Sequence, residues 1–149
     1  MPKFNYRMQG ILNVKVKMED QAKTEYSFAQ MRYNEEEEKL QALILRRAGY
    51  EQRARQLRAD GQKLVPLEME EMRRAVESMK VLIRAQMMEL KRAEKDLNAA
   101  RFKLQEAMQE RKMHEKLREK ALDAFKEELA YEESKEIDGL VSYTYGAGS

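Results

Sequence analysis

Apolar residues recur at alternating steps of four and three along two long stretches of the chain. Between residues 22 and 57 this stepping meets a polar side chain only at Glu36 and Arg47. Between residues 69 and 107 it meets one only at Gln86. A repeat of this period, sustained over several heptads, predicts a coiled-coil seam on each of two helices rather than the broader stripe of a globular helix.

Glycine and proline mark where these helices begin and end. Residues 11–48 and 62–138 contain no glycine, and the two prolines are Pro2 and Pro66. Asp60-Gly61 suits a helix end, and Pro66 suits the first turn of the next helix because its missing N–H needs no partner there. We predict a single coiled-coil domain over residues 1–149, with helix one at about 4–59, a turn at about 60–65, helix two at about 66–138 and a mobile tail at 139–149.

The start of helix one allows two readings. Residues 11–18 contain a stretch that alternates between apolar and polar side chains, which a strand would also show. We predict a helix there, because the flanking pattern is helical and an isolated strand would have no sheet to join.

The connection between the helices is short. A link of about six residues makes the two helices antiparallel neighbours, since a parallel return would need a crossover as long as a helix. Folding at the turn then places Leu43 near Ile83, Glu36 near Leu90 and Arg47 near Met79. The predicted fold class is all-α, a long two-helix antiparallel coiled-coil hairpin.

Composition and charge narrow the classes of function. The chain is 42% hydrophobic and 38% charged, with 29 Lys and Arg against 27 Asp and Glu, so no strong basic field favours nucleic-acid binding. It has no cysteine, one histidine and no glycine-rich phosphate-binding motif. No apolar run approaches the roughly 20 residues that span a bilayer. We expect a cytoplasmic protein that is not an enzyme, takes no cofactor or metal and inserts into no membrane.

The seam of helix two changes character after residue 107. The same stepping continues into Arg111, His114 and Arg118, while a wider apolar stripe develops between residues 117 and 129. A lone histidine in such a seam is more often a tolerated polar interruption than a site. Two interpretations remain open. The charged residues and the apolar stripe bind an external partner, or the chain is a generic scaffold or dimerisation module that self-associates through the stripe.

Both ends of the chain carry patterns that are similar to one known family. These are Phe4-x-Tyr6-x-Met8-Gln9-x-Ile11-Leu12 with Lys15 and Glu19 near the start, Ala107-x-x-Glu110-Arg111-Lys112-x-x-Glu115-Lys116-Leu117-Arg118 in helix two, and Glu132-x-x-Lys135-Glu136-x-Asp138 near the end. In this respect the chain resembles the FliJ family, a coiled-coil component of the bacterial flagellar type III export apparatus.

The resemblance implies a hairpin similar to the central γ stalk of rotary F-type ATPases, located at the cytoplasmic face of the flagellar basal body. Its implied partners are the hexameric export ATPase, the export gate membrane protein and export chaperones. The implied contacts with the ATPase ring are Tyr6, Lys15, Arg111, Lys112, Lys116, Leu117 and Arg118. The implied contacts with the export gate are Leu43, Arg46, Tyr50 and Met79.

Overall fold

Two long helices make up most of the protein. The computed structural model describes residues 2–59 and 66–147. Helix α1 spans Gln9–Ala59 and helix α2 spans Pro66–Ala147, with no strand in these described ranges. The alternating stretch at residues 11–18 is helical, as predicted. The predicted turn at about residues 60–65 lies outside the described residues.

The described residues divide into two compact units. The internal unit contains residues 22–59 of α1 and 66–104 of α2. The terminal unit contains residues 2–21 and 105–147. Each unit pairs a segment of α1 with a segment of α2, and each is described by itself below.

In both units the two helices pack side by side and run in opposite directions. In the internal unit, Glu25 of α1 pairs with Lys103 near the far end of the unit's α2 segment, at 2.9 Å. Arg53 lies 3.9 Å from Glu68, which is near the start of α2. In the terminal unit, Arg118 donates to Gln9 at the start of α1, and Arg111, which is earlier in α2, donates to Glu19, which is later in α1. The predicted all-α, two-helix antiparallel hairpin is therefore confirmed.

The predicted seam is the interface between the helices. Every position that the four-three stepping visits between residues 22 and 57, and between 69 and 107, is buried or half-buried. The best-buried seam side chains are Ala22, Leu40, Met79, Ile83, Ala93 and Leu97. Alanines at these positions let two helix backbones approach closely, because a methyl group needs little room between them.

The first residues of the chain differ from the prediction. Helix one was expected from about residue 4, but α1 begins at Gln9, and the Gln9 N–H donates to the Tyr6 carbonyl at 3.0 Å. The reason is a tertiary contact: the Phe4 ring packs against Phe125 of α2, with ring centroids 5.5 Å apart. The segment before Gln9 therefore follows α2 instead of adding a turn to α1.

The end of α2 also differs from the prediction. A helix end at Asp138-Gly139 followed by a non-helical tail is wrong for residues 139–147, because α2 continues to Ala147. A glycine inside a helix costs only about 1 kcal/mol relative to alanine and keeps its backbone hydrogen bonds. The Thr144 hydroxyl also donates to the Leu140 carbonyl at 2.8 Å. Every side chain from residue 131 to 146 is exposed.

Candidate partner-binding surfaces

The core of the internal unit is a cluster of seam side chains from both helices. Leu40, Met79 and Ile83 are each less than a tenth exposed. Three partly buried side chains pack against them, namely Leu43, Tyr50 and Leu90. The predicted neighbourhood of Leu43 and Ile83 is therefore present. This cluster holds the helices together and leaves little of its apolar surface for an external partner.

Two of the three polar interruptions of the internal seam, Glu36 and Gln86, meet each other. The Gln86 side-chain amide donates to the Glu36 carbonyl at 2.9 Å and to the Glu36 carboxylate at 2.5 Å. The Gln86 amide is the largest cause of a pKa of Glu36 below its ordinary value, and Lys39 adds to the effect. Two polar residues in an apolar seam are thus satisfied by one another across the helix pair.

The Gln86–Glu36 contact makes a pH-dependent contribution to stability. A carboxyl whose pKa is lowered by folding stabilises the folded state above its unfolded pKa, and this stabilisation is lost as the pH falls through the folded pKa. We expect Gln86→Ala to lower the midpoint of urea unfolding most above pH 4.5, the ordinary value for Glu36. The difference from wild type should shrink as the medium becomes more acidic.

The control for this prediction removes the titrating group. In a Glu36→Gln background, the effect of Gln86→Ala should no longer change between neutral and acidic pH. Carboxyl NMR of the single Gln86→Ala variant should show the pKa of Glu36 moving up toward its ordinary value. An unchanged Glu36 pKa in that variant would contradict the assignment.

The seam of the terminal unit contains several charged side chains beside its apolar ones. Glu19 is only 5% exposed and accepts a hydrogen bond from the Arg111 guanidinium. Arg111 also donates to Glu115 at 2.8 Å, and the hydrogen bond that it donates to Glu19 is the main cause of the raised pKa of Arg111. Leu12 is the one buried apolar residue among the described residues of this unit. Ionic contacts therefore replace much of the apolar packing.

Further polar contacts link the helices of the terminal unit. Lys15 donates to Glu110 at 2.6 Å, and this bond lowers the pKa of the Glu110 carboxyl. The Arg118 guanidinium donates to Gln9 at 2.9 Å and lies 5.4 Å from the centre of the Phe4 ring, which is a cation–π distance. These pairs span α1 and α2 and fix the position of the N-terminal segment.

His114 lies in the same charged seam. It is half-buried, as expected for a polar seam position, and among the described residues its Nδ1 atom has no hydrogen-bond partner. His114 contributes, after Lys15, to the lowered pKa of Glu110, one turn away. The described residues hold no group of three or more His, Asp or Glu side chains that could hold a metal ion.

One face of α2 in this unit points to solvent. Lys112, Lys116 and Leu117 are exposed, and Leu117 retains 47% of its accessible surface. They line a surface groove together with Gln109, Met113 and Lys120. The groove has an apolar floor and a rim of lysines, so it suits an apolar surface that carries negative charge.

Comparison with known proteins gives one match. The profile of the family described as flagellar FliJ protein matches residues 4–148. The chain belongs to the FliJ family. No curated protein and no solved structure matched. Membership of the FliJ family assigns the protein to flagellar export and to a family of non-catalytic proteins. Among the described residues, no helix has the length and apolar character needed to span a membrane.

The ring contacts implied by the FliJ resemblance divide into two groups. Tyr6, Lys15, Arg111 and Arg118 are half-buried and take part in the packing of the terminal unit. Lys112, Lys116 and Leu117 are exposed on α2. The structure brings both groups into one unit, but only the second group offers whole side chains to a partner.

The four implied export-gate contacts also differ in how exposed they are. Met79 is 8% exposed and lies in the core cluster, and Leu43 and Tyr50 pack against that cluster. Arg46 alone of the four is exposed. Its neighbours Ile44 and Leu45 are also exposed, at 40% and 71%. Any surface contact in this part of the internal unit would therefore rely on Arg46 and these neighbours rather than on the other three residues.

Sequence reasoning missed the partners that organise the terminal unit. Glu19, Gln9 and Phe4 were not singled out as ligands of Arg111 and Arg118. A signal was present, because stepping backwards from Ala22 by threes and fours reaches Glu19, then Lys15 and Leu12. A glutamate at that position opposite an arginine at the equivalent position of α2 predicts an ion pair across the seam.

Proposed function

We propose that this protein is a stalk-like hairpin that binds and stimulates the hexameric flagellar export ATPase, contacts the export gate membrane protein and escorts export chaperones. It hydrolyses nothing itself and associates peripherally with the cytoplasmic face of the flagellar basal body. Membership of the FliJ family supports a role in export, and the arrangement of the terminal unit supports this particular form of it.

The observation that carries the proposal is the difference between the two units. The internal unit has an apolar core at its seam, which is what helix pairing alone requires. The terminal unit places Lys15, Glu19 and Arg111 at its seam and adds an exposed groove with a lysine rim. Well-packed apolar side chains would stabilise the helix pair at least as well, so the charged seam favours a role in positioning the exposed groove for a partner.

The exposed groove of the terminal unit is the proposed ring contact. Lys112 and Lys116 supply positive charge, and Leu117 supplies apolar surface in the same groove. Tyr6, Lys15, Arg111 and Arg118 position this face by fixing α1 and the N-terminal segment against α2. In the internal unit, Arg46 and Leu45 form the accessible part of the proposed gate contact.

The test measures the rate of ATP hydrolysis by purified flagellar export ATPase with and without this protein, together with ring assembly by sedimentation. We expect the wild-type protein to raise both. The Lys112→Glu/Leu117→Ala variant should lose most of the stimulation while keeping its helix content. A matched control, Lys91→Glu/Val81→Ala, changes one exposed lysine and one exposed apolar residue of α2 in the internal unit and should stimulate like wild type.

A generic scaffold or dimerisation module is the second candidate. It is favoured by the exposed apolar residues Met113, Leu117 and Tyr131 on α2, which keep 53%, 47% and 69% of their surface. An ATPase rate and ring assembly that do not change on addition of the wild-type protein, combined with a tight dimer of the protein alone, would overturn the stalk and establish the scaffold.

A further inference from the structure

Two surface grooves follow one another along α2 in the terminal unit. The first is lined by Gln109, Lys112, Met113, Lys116, Leu117 and Lys120. The second is lined by Ala121, Ala124, Phe125, Glu127, Glu128 and Tyr131. Lysines surround the first groove, and glutamates border the second. Residues 112–131 of α2 therefore carry positive charge in one half and negative charge in the other.

These grooves follow a second heptad stripe, separate from the seam with α1. Steps of four and three from Met113 reach Leu117, Lys120, Ala124, Glu127 and Tyr131, all of which are exposed. The seam residues that face α1 in the same stretch, Arg118, Ala121 and Phe125, are half-buried. A helix with two heptad stripes can pair with two helices at once, and α1 satisfies only one of these stripes.

We propose that, when no export ATPase occupies the first groove, a second copy of this chain occupies the stripe formed by residues 113–131 of α2, packed antiparallel to the first. A two-fold axis near Ala124 would place Lys120 opposite the partner's Glu127 and Leu117 beside the partner's Tyr131. Because the contact is isologous, each such pair forms twice. A parallel arrangement would set lysines against lysines and glutamates against glutamates, which is unfavourable.

The position of the small residues favours the same arrangement. Ala124 lies midway between Leu117 and Tyr131 on the stripe, where the two helix backbones would come closest. Its methyl group leaves room for that approach, and the larger side chains pack on either side of it. The stripe spans roughly 27 Å of helix at about 1.5 Å per residue. An interface of one helix face is small, so the dimer should be weak and sensitive to salt.

The first test uses the full chain alone and no export component, so its result does not depend on the proposed function. Sedimentation equilibrium from micromolar to near-millimolar concentration should show a monomer–dimer equilibrium that weakens as salt is added. The Lys116→Glu/Lys120→Glu variant makes the whole stripe acidic, and the Glu127→Lys/Glu128→Lys variant makes it basic. Each alone should dimerise about tenfold less tightly or worse, because its charges now repel across the two-fold axis.

Mixing the two variants is the decisive step. Each acidic stripe then meets a basic one along its whole length, so a one-to-one heterodimer should form more tightly than the wild-type homodimer. The control Lys91→Glu/Lys95→Glu reverses two exposed lysines of α2 in the internal unit and should dimerise like wild type. A wild-type chain that remains monomeric at every concentration, or a mixture that stays monomeric, would overturn the proposal.

The orientation has its own test, because the chain contains no cysteine. Under mild oxidation, Ala124→Cys chains should cross-link into dimers, since these positions lie near the two-fold axis. Met113→Cys chains should not cross-link with one another, because an antiparallel partner carries its own residue 113 at the far end of the stripe. Equal cross-linking of both variants would indicate a parallel pair and contradict the antiparallel dimer.

Discussion

Replacing Ile83 with alanine is expected to lower the free energy of unfolding by about 2–3 kcal/mol. Ile83 is 7% exposed and forms the centre of the internal core with Leu40 and Met79. The truncation removes buried methyl and methylene groups and leaves a cavity that a helix pair can only partly close. The estimate is at the lower end of the usual range because a two-helix core is thin and its neighbours can shift.

Urea unfolding followed by the circular dichroism of the helices measures this effect. Val81 provides the matched control: it lies two residues away on the same helix and is 58% exposed. Val81→Ala should change the free energy of unfolding by no more than about 0.5 kcal/mol. Equal losses from the two substitutions would show that the cluster around Ile83 is not the core of the helix pair.

The success of the seam prediction explains why the fold could be predicted from the sequence. An antiparallel helix pair needs only a sustained period and a short connection, and both are local properties of the chain. Together they placed Leu43 beside the Ile83 cluster, and they placed Glu36 within one helical turn of the residue it contacts, Gln86.

The two ends of the helices could not be predicted in the same way. The start of α1 depends on the Phe4 ring packing against Phe125, which is a contact between residues at opposite ends of the chain. The end of α2 depends on whether Gly139 interrupts a helix or is tolerated within it, and a glycine allows both. Local propensity does not choose between such alternatives, because their free energies differ by only about 1 kcal/mol.

The candidate site was predictable only in part. The resemblance to FliJ implied residues for a contact with the ATPase ring, but residue identity does not tell which side chains face the other helix. Burial separates Arg111, which is paired with Glu19, from Lys112, which is exposed one position further along. Two of the implied gate contacts, Leu43 and Tyr50, fall on the predicted seam. They pack against the core cluster, as the heptad period predicts, rather than on an exposed surface.

The charged residues at the seam of the terminal unit could contribute to stability or to partner binding. Helix pairing could use apolar residues at Glu19 and Arg111, as it does at Leu40 and Ile83 in the internal unit. A buried ion pair seldom exceeds the stability of well-packed apolar side chains of similar volume, although losing one member of it is strongly destabilising. Removing the charges of Glu19 and Arg111 together should therefore affect the stability of the protein and its ATPase stimulation differently.

Removing one charge of this pair is expected to have a large effect, and removing both a small one. Arg111→Leu leaves the carboxylate of Glu19, which is 5% exposed, without its guanidinium, and the thermal midpoint should fall by about 5 °C. Glu19→Leu/Arg111→Leu puts two apolar side chains in the seam, and its midpoint should return to the wild-type value or exceed it. Calorimetry of the two single variants and the double variant gives the coupling between the residues.

An exposed ion pair between the same helices supplies the control. Lys103 and Glu25 lie 2.9 Å apart with 63% and 51% of their side chains exposed, so Lys103→Leu should shift the midpoint by no more than about 1 °C. If Arg111→Leu were as mild as Lys103→Leu, the Glu19–Arg111 pair would not organise the terminal unit.

The Glu19→Leu/Arg111→Leu variant separates a role of the seam charges in packing from a role in partner recognition. Loss of ATPase stimulation in a protein that melts like wild type would assign the charges to partner recognition, and full stimulation would limit them to packing.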